Sequence, residues 1–301
     1  MDLDTVLKRA TQQNKVKVAI AAAEDYEVLE AVSFAVEKNL ASFYLFGDEQ
    51  KIVQLLQDHF SALLKSKDIE IIHIPTVQEA ANRAVQAVSN GVAQVLMKGN
   101  LATSILLKAV LNKEFGLRTE NVLSHVAVFE IPDFNRLILI TDAGMNIEPD
   151  LQQKVQIIDN AVQIARSINI DMPKVAILSA VEVVNPAMKS TIDGAILTQM
   201  NQRGQIANCI VDGPLALDNA ISMESAEHKG IKSNVAGAAD ILVVPNIETG
   251  NTFYKSLIYF AKAKVGSVIA GAKAPIVLTS RSDRAEDKLY SLALAICSAK
   301  L

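Results

Sequence analysis

A chain of 301 residues, half of them hydrophobic, is too long for one comfortable core, so two domains are expected. A formal net charge of −4, with 21% charged residues, excludes a broadly basic nucleic-acid-binding face but leaves room for a local basic pocket. The apolar runs are shorter than the ~18 residues of a membrane span. Met1 to Asn14 lacks the apolar middle of a signal peptide, and Cys209 and Cys297 form neither a disulfide framework nor a CxxC site, so a cytoplasmic location is expected, with no membrane or nucleic-acid partner.

In chain order, the spacing of apolar residues predicts a strand over Val16–Ala22, a helix over Tyr26–Asn39, a strand over Ala41–Phe46 and a helix over Glu49–Leu64. A strand over Glu70–Ile74, a helix over Thr76–Asn90 and a strand over Gly91–Met97 follow. In that last helix Val77, Ala80, Ala81, Ala84, Val85 and Val88 make one stripe, and Thr76 with Glu79 reads as a capping box. Strand–helix–strand repetition implies right-handed crossovers and a mostly parallel sheet covered on both faces. His125–Ile131 and Arg136–Thr141, joined by Pro132 to Asn135, read as a hairpin or strand pair, and this change of topology sets an expected domain boundary near Glu130. The alternation then resumes with a helix over Leu151–Ile168, a strand over Val175–Ser179, a helix over Pro186–Gln202 and strands over Ile206–Val211 and Ile241–Val244. A helix over Thr252–Ala263, strands over Ser267–Ala270 and Ala274–Thr279, and a helix over Arg284–Ala299 complete the chain.

Ligands in open α/β sheets sit beyond the C-terminal strand ends. The loops to search are therefore Lys98-Gly99-Asn100, Thr141 to Gly144, Ser179 to Asn185, Asp212-Gly213-Pro214, Pro245 to Asn251 and Ser280 to Arg284. The last is the richest, in PIVLTSRSDRAED (Pro275 to Asp287). A strand ends at Thr279, and a helix begins near Asp283, with Asp283 and Glu286 placed like a capping pair. The free N–H groups of a helix start favour anions, and Arg281 and Arg284 add donors suited to phosphate. Two readings stand side by side: an anion site, or Ser280 and Asp283 as caps with Asp287 as a first-turn acid.

The other features are weaker singly. Lys98 and Gly99 lie where backbone N–H groups can meet a ligand or merely end a strand. Arg118 is an anion binder or a solvated loop arginine, and His125 a core or a catalytic histidine. His59, His73 and His228 are scattered, with no HExxH, which argues against zinc. GSVIAGAK (Gly266 to Lys273) lacks the GK[ST] of a phosphate-binding loop, and there is no GxGxxG.

Taken together and in order, GLRTENVLSHVAVFEIP (Gly116 to Pro132), TDAGMN (Thr141 to Asn146), VDGPLALDNA (Val211 to Ala220), VPNIETGNTFYK (Val244 to Lys255) and Pro275 to Asp287 resemble the phosphate acyltransferases that include the acetyl and butyryl enzymes. LSHVAVFEIP and the compact length look more like the butyryl members.

The resemblance implies a reversible exchange of a butanoyl group between CoA and phosphate, transferred directly in a ternary complex, with CoA as a substrate and no bound cofactor or metal. It implies that Ser280 donates to the oxyanion, Arg281 grips the phosphoryl group and Asp287 is the base toward the CoA thiol, with Asp283 in reserve. Arg118, Arg284, Thr249, Asn251, Lys98 and Gly99 are the expected binding residues. The implied architecture has two α/β domains like those of isocitrate and isopropylmalate dehydrogenases, with the active-site cleft between them. Residues 1–130 with 271–301 would form a discontinuous domain, and residues 131–270 the other. Members are homo-oligomers that take acyl-CoA, phosphate and acyl phosphate. Acetyl-CoA is the alternative substrate. A metal-dependent hydroxyacid dehydrogenase on a related fold and a hinged small-ligand receptor are the alternatives of other classes.

Overall fold

The computed structural model describes residues 1–278 and 284–299. The elements in chain order are α1 (Leu3–Thr11), β1 (Val16–Ala21), α2 (Tyr26–Glu37), β2 (Ala41–Gly47), α3 (Glu49–His59), a 3-10 turn (Leu63–Lys65), β3 (Ile69–His73), α4 (Val77–Ser89), β4 (Val95–Lys98) and α5 (Thr103–Val110). Then come β5 (Ser124–Glu130), β6 (Ile138–Thr141), α6 (Leu151–Ser167), β7 (Lys174–Leu178), α7 (Lys189–Gln202), β8 (Ile210–Leu215), α8 (Leu217–Ile221) and α9 (Met223–His228). The chain ends with β9 (Ile241–Val243), α10 (Ile247–Tyr259), β10 (Lys264–Ala270), β11 (Ile276–Val277) and α11 (Ala285–Ser298). The protein is α/β, with mostly parallel strands flanked by helices. It divides into two compact units, Leu3–Asn121 with Gly266–Leu301, and Met1–Asp2 with Val122–Val265.

In the first of these units the strand order is β3-β2-β1-β4-β11-β10. All neighbours are parallel except β10 and β11. The registers Ala21↔Lys98 and Val277↔Met97 bring the C-terminal ends of β1, β4 and β11 to one edge. β1 and β4 are buried along nearly their whole length, as strands covered on both faces must be, which is why they read as continuous apolar runs. The α4 stripe packs inward through Ala80, Ala81, Ala84, Val85 and Val88, and Thr76 Oγ1 accepts from the Glu79 N–H at 3.3 Å. Helix α1 escapes the sequence reading, although Leu3, Val6, Leu7 and Ala10 all turn inward at helical spacing.

In the second unit the order is β5-β6-β9-β7-β8, with only β5 and β6 antiparallel. The expected hairpin is therefore present, with Val128 opposite Leu139. Two expectations shift. Asp212-Gly213-Pro214 is no post-strand loop, because it lies inside β8 and carries a cis Gly213–Pro214 bond. Proline is tolerated there because β8 closes the order, and an edge strand can spare an N–H. Helix α10 starts five residues earlier than the apolar spacing suggests. Asn246 is its cap, with its Oδ1 accepting from the Thr249 N–H and hydroxyl at 3.0 and 2.7 Å.

Candidate active site

The residues singled out from Pro275 to Asp287 fall on two sides of what is described. Ser280, Arg281 and Asp283 lie outside the described residues. Arg284 and Asp287 lie within them. The N-cap of α11 is Arg284, not Asp283, so Asp287 occupies the third helical position. The residue is only 5% exposed, and its carboxylate is held by the Arg284 guanidinium, Nε to Oδ2 at 3.0 Å and Nη2 to Oδ1 at 3.4 Å. This two-point grip fixes the plane of the carboxylate. The hydrogen bond and charge of Asp287 hold the Arg284 guanidinium above its ordinary value. Two Arg284 donors thus meet Asp287, while the side chain as a whole stays 56% exposed. The Asp287 carbonyl also accepts the Ser291 hydroxyl at 2.8 Å.

Lys98 ends β4 and is buried, with Nζ 3.2 Å from the Gly99 carbonyl. The amides of the following turn are already used: Gly99 N–H donates to Ala21 O at 2.9 Å and Asn100 N–H to Ala22 O at 2.6 Å. They hold β4 to the end of β1 and are not offered to a ligand. A Cβ on Gly99 would overlap the Ala21 and Ala22 carbonyl oxygens, so glycine is dictated there by close approach. Arg118 is exposed and makes no ion pair or side-chain hydrogen bond among the described residues. Its loop is pinned by Leu117 N–H to Val110 O, by Lys273 N–H to Leu117 O and by the Thr119 hydroxyl to Gly271 O.

In the other unit Thr249 and Asn251 lie within the first turns of α10, rather than before it. Thr249 is engaged by the cap, and Asn251 Nδ2 reaches Ala143 O at 3.5 Å. The feature that sequence reasoning missed is beside them. Asp142 is buried and follows a cis Thr141–Asp142 bond. Its carboxylate accepts five N–H donors: His125 N, Gly144 N and Met145 N on Oδ1, and Asn146 N and Nδ2 on Oδ2. TDAGMN is therefore a loop folded around one carboxylate. The signal was present, as an aspartate two to four residues ahead of free backbone amides. The His125 ring packs edge-on to Tyr254, with centroids 5.7 Å apart, and its Nδ1 is enclosed with no partner. Desolvation pushes His125 below its ordinary value, against the opposing pull of the Asp142 charge. Among the described residues no group of three or more His, Cys, Asp or Glu side chains is placed to hold a metal ion, and no helix is long and apolar enough to cross a membrane.

A mostly parallel α/β sheet with helices beyond its strand ends places this protein among the α/β folds that take ligands at the strand ends. Within that class the chain belongs to the phosphate acetyl/butaryl transferase family, whose profile it matches over residues 2–296. That family is one of acyltransferases. The chain is 55% identical over 297 residues to a probable phosphate butyryltransferase of Bacillus subtilis (strain 168), covering 99% of this chain and 97% of the relative. It is 47% identical to a phosphate acetyltransferase of Thermotoga maritima, covering 98% and 99% respectively. Among solved structures it resembles a branched-chain phosphotransacylase from Enterococcus faecalis V583, with a TM-score of 0.83 and 37% identity, covering 94% of this chain and 98% of that one.

Proposed function

We propose that the protein transfers a butanoyl group reversibly between CoA and inorganic phosphate, with the chemistry carried by the segment from Ser280 to Asp287. The observation that carries the reading is the buried Asp287 carboxylate held in a fixed plane by Arg284. In the forward direction an oxygen of monohydrogen phosphate attacks the thioester carbonyl, the C–S bond breaks, and the proton given up by the phosphate passes through the Asp287 carboxylate to the leaving thiolate. In reverse, Asp287 removes the thiol proton as sulfur attacks butanoyl phosphate. CoA thiols are largely protonated at neutral pH, so a placed base is useful there. Ser280 donates to the oxyanion and Arg281 binds the phosphoryl group. Arg284 positions Asp287 and, with its half-exposed side chain, contributes to binding phosphate. Arg118, with its exposed guanidinium, is the further anion contact in this reading, and Lys98, Thr249 and Asn251 serve as binding residues. No acyl-enzyme forms, and CoA acts as substrate rather than resident cofactor.

Acetyl transfer is the second reading, favoured by the relative named phosphate acetyltransferase, nearly as similar as the butyryl one. Self-association belongs to the same proposal, through Tyr259 and Phe260, the latter 87% exposed at the end of α10. Light scattering of Phe260→Lys tests it, and an unchanged mass would discard that face.

Asp287→Asn tests the chemistry. It keeps the shape and removes the proton acceptor, and kcat should fall by about 10²–10⁴. Full activity in this variant would move the base elsewhere.

A further inference from the structure

The histidine at the head of β5 has no part in the chemistry described so far, and the fold makes no use of its ring nitrogens. His125 is held by its backbone: its N–H donates to Asp142 Oδ1 at 3.1 Å, and its carbonyl accepts the Thr141 hydroxyl at 2.9 Å. β5 runs antiparallel to β6, with Ala127 opposite Ile140, so the start of β5 stands beside the C-terminal end of β6. The parallel strands β9 and β7 end at the same edge, through Thr141↔Val243 and Ile177↔Val243. Open α/β sheets take ligands at such an edge. TDAGMN leaves from it, and α10 lies so close that a Cβ on Gly250 would stand 2.6 Å from Asp142 O.

The His125 ring is half-buried against Tyr254. Nδ1 is enclosed with no partner, while Nε2 is not enclosed and makes no hydrogen bond to any described residue. A histidine kept for the fold uses a ring nitrogen, because buried polar atoms are nearly always bonded. Here both are idle. The two nitrogens also differ in what they can carry. A proton on Nδ1 would be an enclosed donor without an acceptor, so the neutral ring carries its proton on Nε2. A second proton is disfavoured for the same reason, and burial pushes the ring below its ordinary value. At neutral pH His125 is thus an uncharged donor of fixed tautomer at the ligand edge.

An uncharged donor does little for a phosphate dianion, which is held best by cations. It suits a carbonyl oxygen that gains negative charge as its carbon is attacked, and neutral imidazoles polarise carbonyls in this way. Thr249 and Asn251, assigned above to binding, lie on the adjoining turns of α10, and Tyr254 follows Asn251 by about one turn. We propose that the His125 Nε2–H donates a hydrogen bond to the acyl carbonyl oxygen of the substrate, a catalytic contact beyond the residues named above. The inference rests on the acyl-transfer reading. The bond orients the carbonyl in the ground state and strengthens as the nucleophile adds to its carbon. No proton leaves the imidazole.

The test separates the carbonyl from the phosphate. 2-Oxopentylphosphonate copies butanoyl phosphate with a CH₂ in place of the bridging oxygen, and pentylphosphonate lacks the carbonyl. In calorimetry the wild type should bind the ketone more tightly. His125→Phe should weaken the ketone about tenfold and leave pentylphosphonate unchanged. His125→Gln, which keeps an N–H donor near the same place, should retain most of the preference. Phenylalanine puts a C–H where Nδ1 had no partner, so His125→Phe should melt with the wild type while its kcat for butanoyl transfer falls about 10²–10³-fold. Nitrogen-15 NMR at neutral pH should show Nδ1 bare and Nε2 protonated. Equal weakening of both phosphonates, no weakening of the ketone, a protonated Nδ1 or a clear drop in melting temperature would each overturn the proposal. If the wild type transfers no butanoyl group between CoA and phosphate, the acyl-transfer reading fails by itself. The phosphonates then decide the contact alone, and a wild type without preference for the ketone overturns it.

Discussion

Asparagine at position 142 would keep the shape of the side chain and remove what organises its loop. The Asp142 carboxylate receives three N–H donors on Oδ1 and two on Oδ2, all within 2.6 to 3.1 Å. The amide can turn its oxygen toward only one set. Keeping the three leaves its NH₂ facing the Asn146 N–H and Nδ2. Turning the Asn146 side chain as well would relieve one of these, but would break its 2.8 Å bond to Leu123 O. At least two buried hydrogen bonds are therefore lost in any arrangement, and bonds to a charged acceptor contribute about 1.5–3 kcal/mol each. A loss of about 3–6 kcal/mol is expected. Urea unfolding of wild type and Asp142→Asn, followed by a core-sensitive probe, should show the midpoint fall with an unchanged slope. A difference under about 0.5 kcal/mol would refute the account of TDAGMN as a carboxylate-centred loop.

Other outcomes follow from the same geometry. Lys154 and Asp193 form a buried pair at 2.6 Å, so Asp193→Ala should cost about 3–5 kcal/mol in unfolding free energy, and Lys154→Met with Asp193→Leu should recover most of it. A single variant as stable as wild type would contradict this. His125 is held below its unfolded-state value, chiefly by burial, so the unfolded chain binds more protons as pH falls through about 6.5. The stability tied to neutral His125 is complete above that pH and lost below it. Unfolding midpoints at pH 7.5 and 5 should therefore differ more in wild type than in His125→Gln, and parallel changes would contradict the assignment. Burial pushes the Cys209 and Cys297 thiols up to about 11, so the native protein should leave a thiol reagent uncoloured at pH 8, whereas fast labelling would show one of them accessible. Gly99→Ala should destabilise the protein by roughly 1–3 kcal/mol in thermal melts, through overlap with the Ala21 and Ala22 carbonyls; a neutral result would mean that the β1 and β4 ends part easily.

The sheet was legible because its physics is local. β1, β2 and β4 are short apolar runs bounded by turn residues, and α4 has a stripe and a cap within one stretch. Where side chains rather than periodicity set the boundary, reading slipped: Asn246 begins α10 ahead of its apolar face, whereas the α11 start was read to within a residue and only its cap moved, from Asp283 to Arg284. β8 was placed too early because its Gly-Pro resembles a turn, and only the edge position permits it in a strand. The Arg284–Asp287 pair was visible as residues but not as a pair. An i,i+3 spacing allows the contact, while the choice between anion and carboxylate depends on what else reaches the guanidinium. Asp142 stayed hidden because its donors are backbone amides, which every sequence has.

The most direct measurement traps the product. Protein, butanoyl-CoA and hydroxylamine are incubated with and without inorganic phosphate, and butanoyl hydroxamate and free CoA thiol are followed together. The account predicts that both appear in equal amounts, only when phosphate is present, and that both are largely lost in Asp287→Asn. Absence of phosphate-dependent hydroxamate with butanoyl-CoA and with acetyl-CoA alike would contradict it.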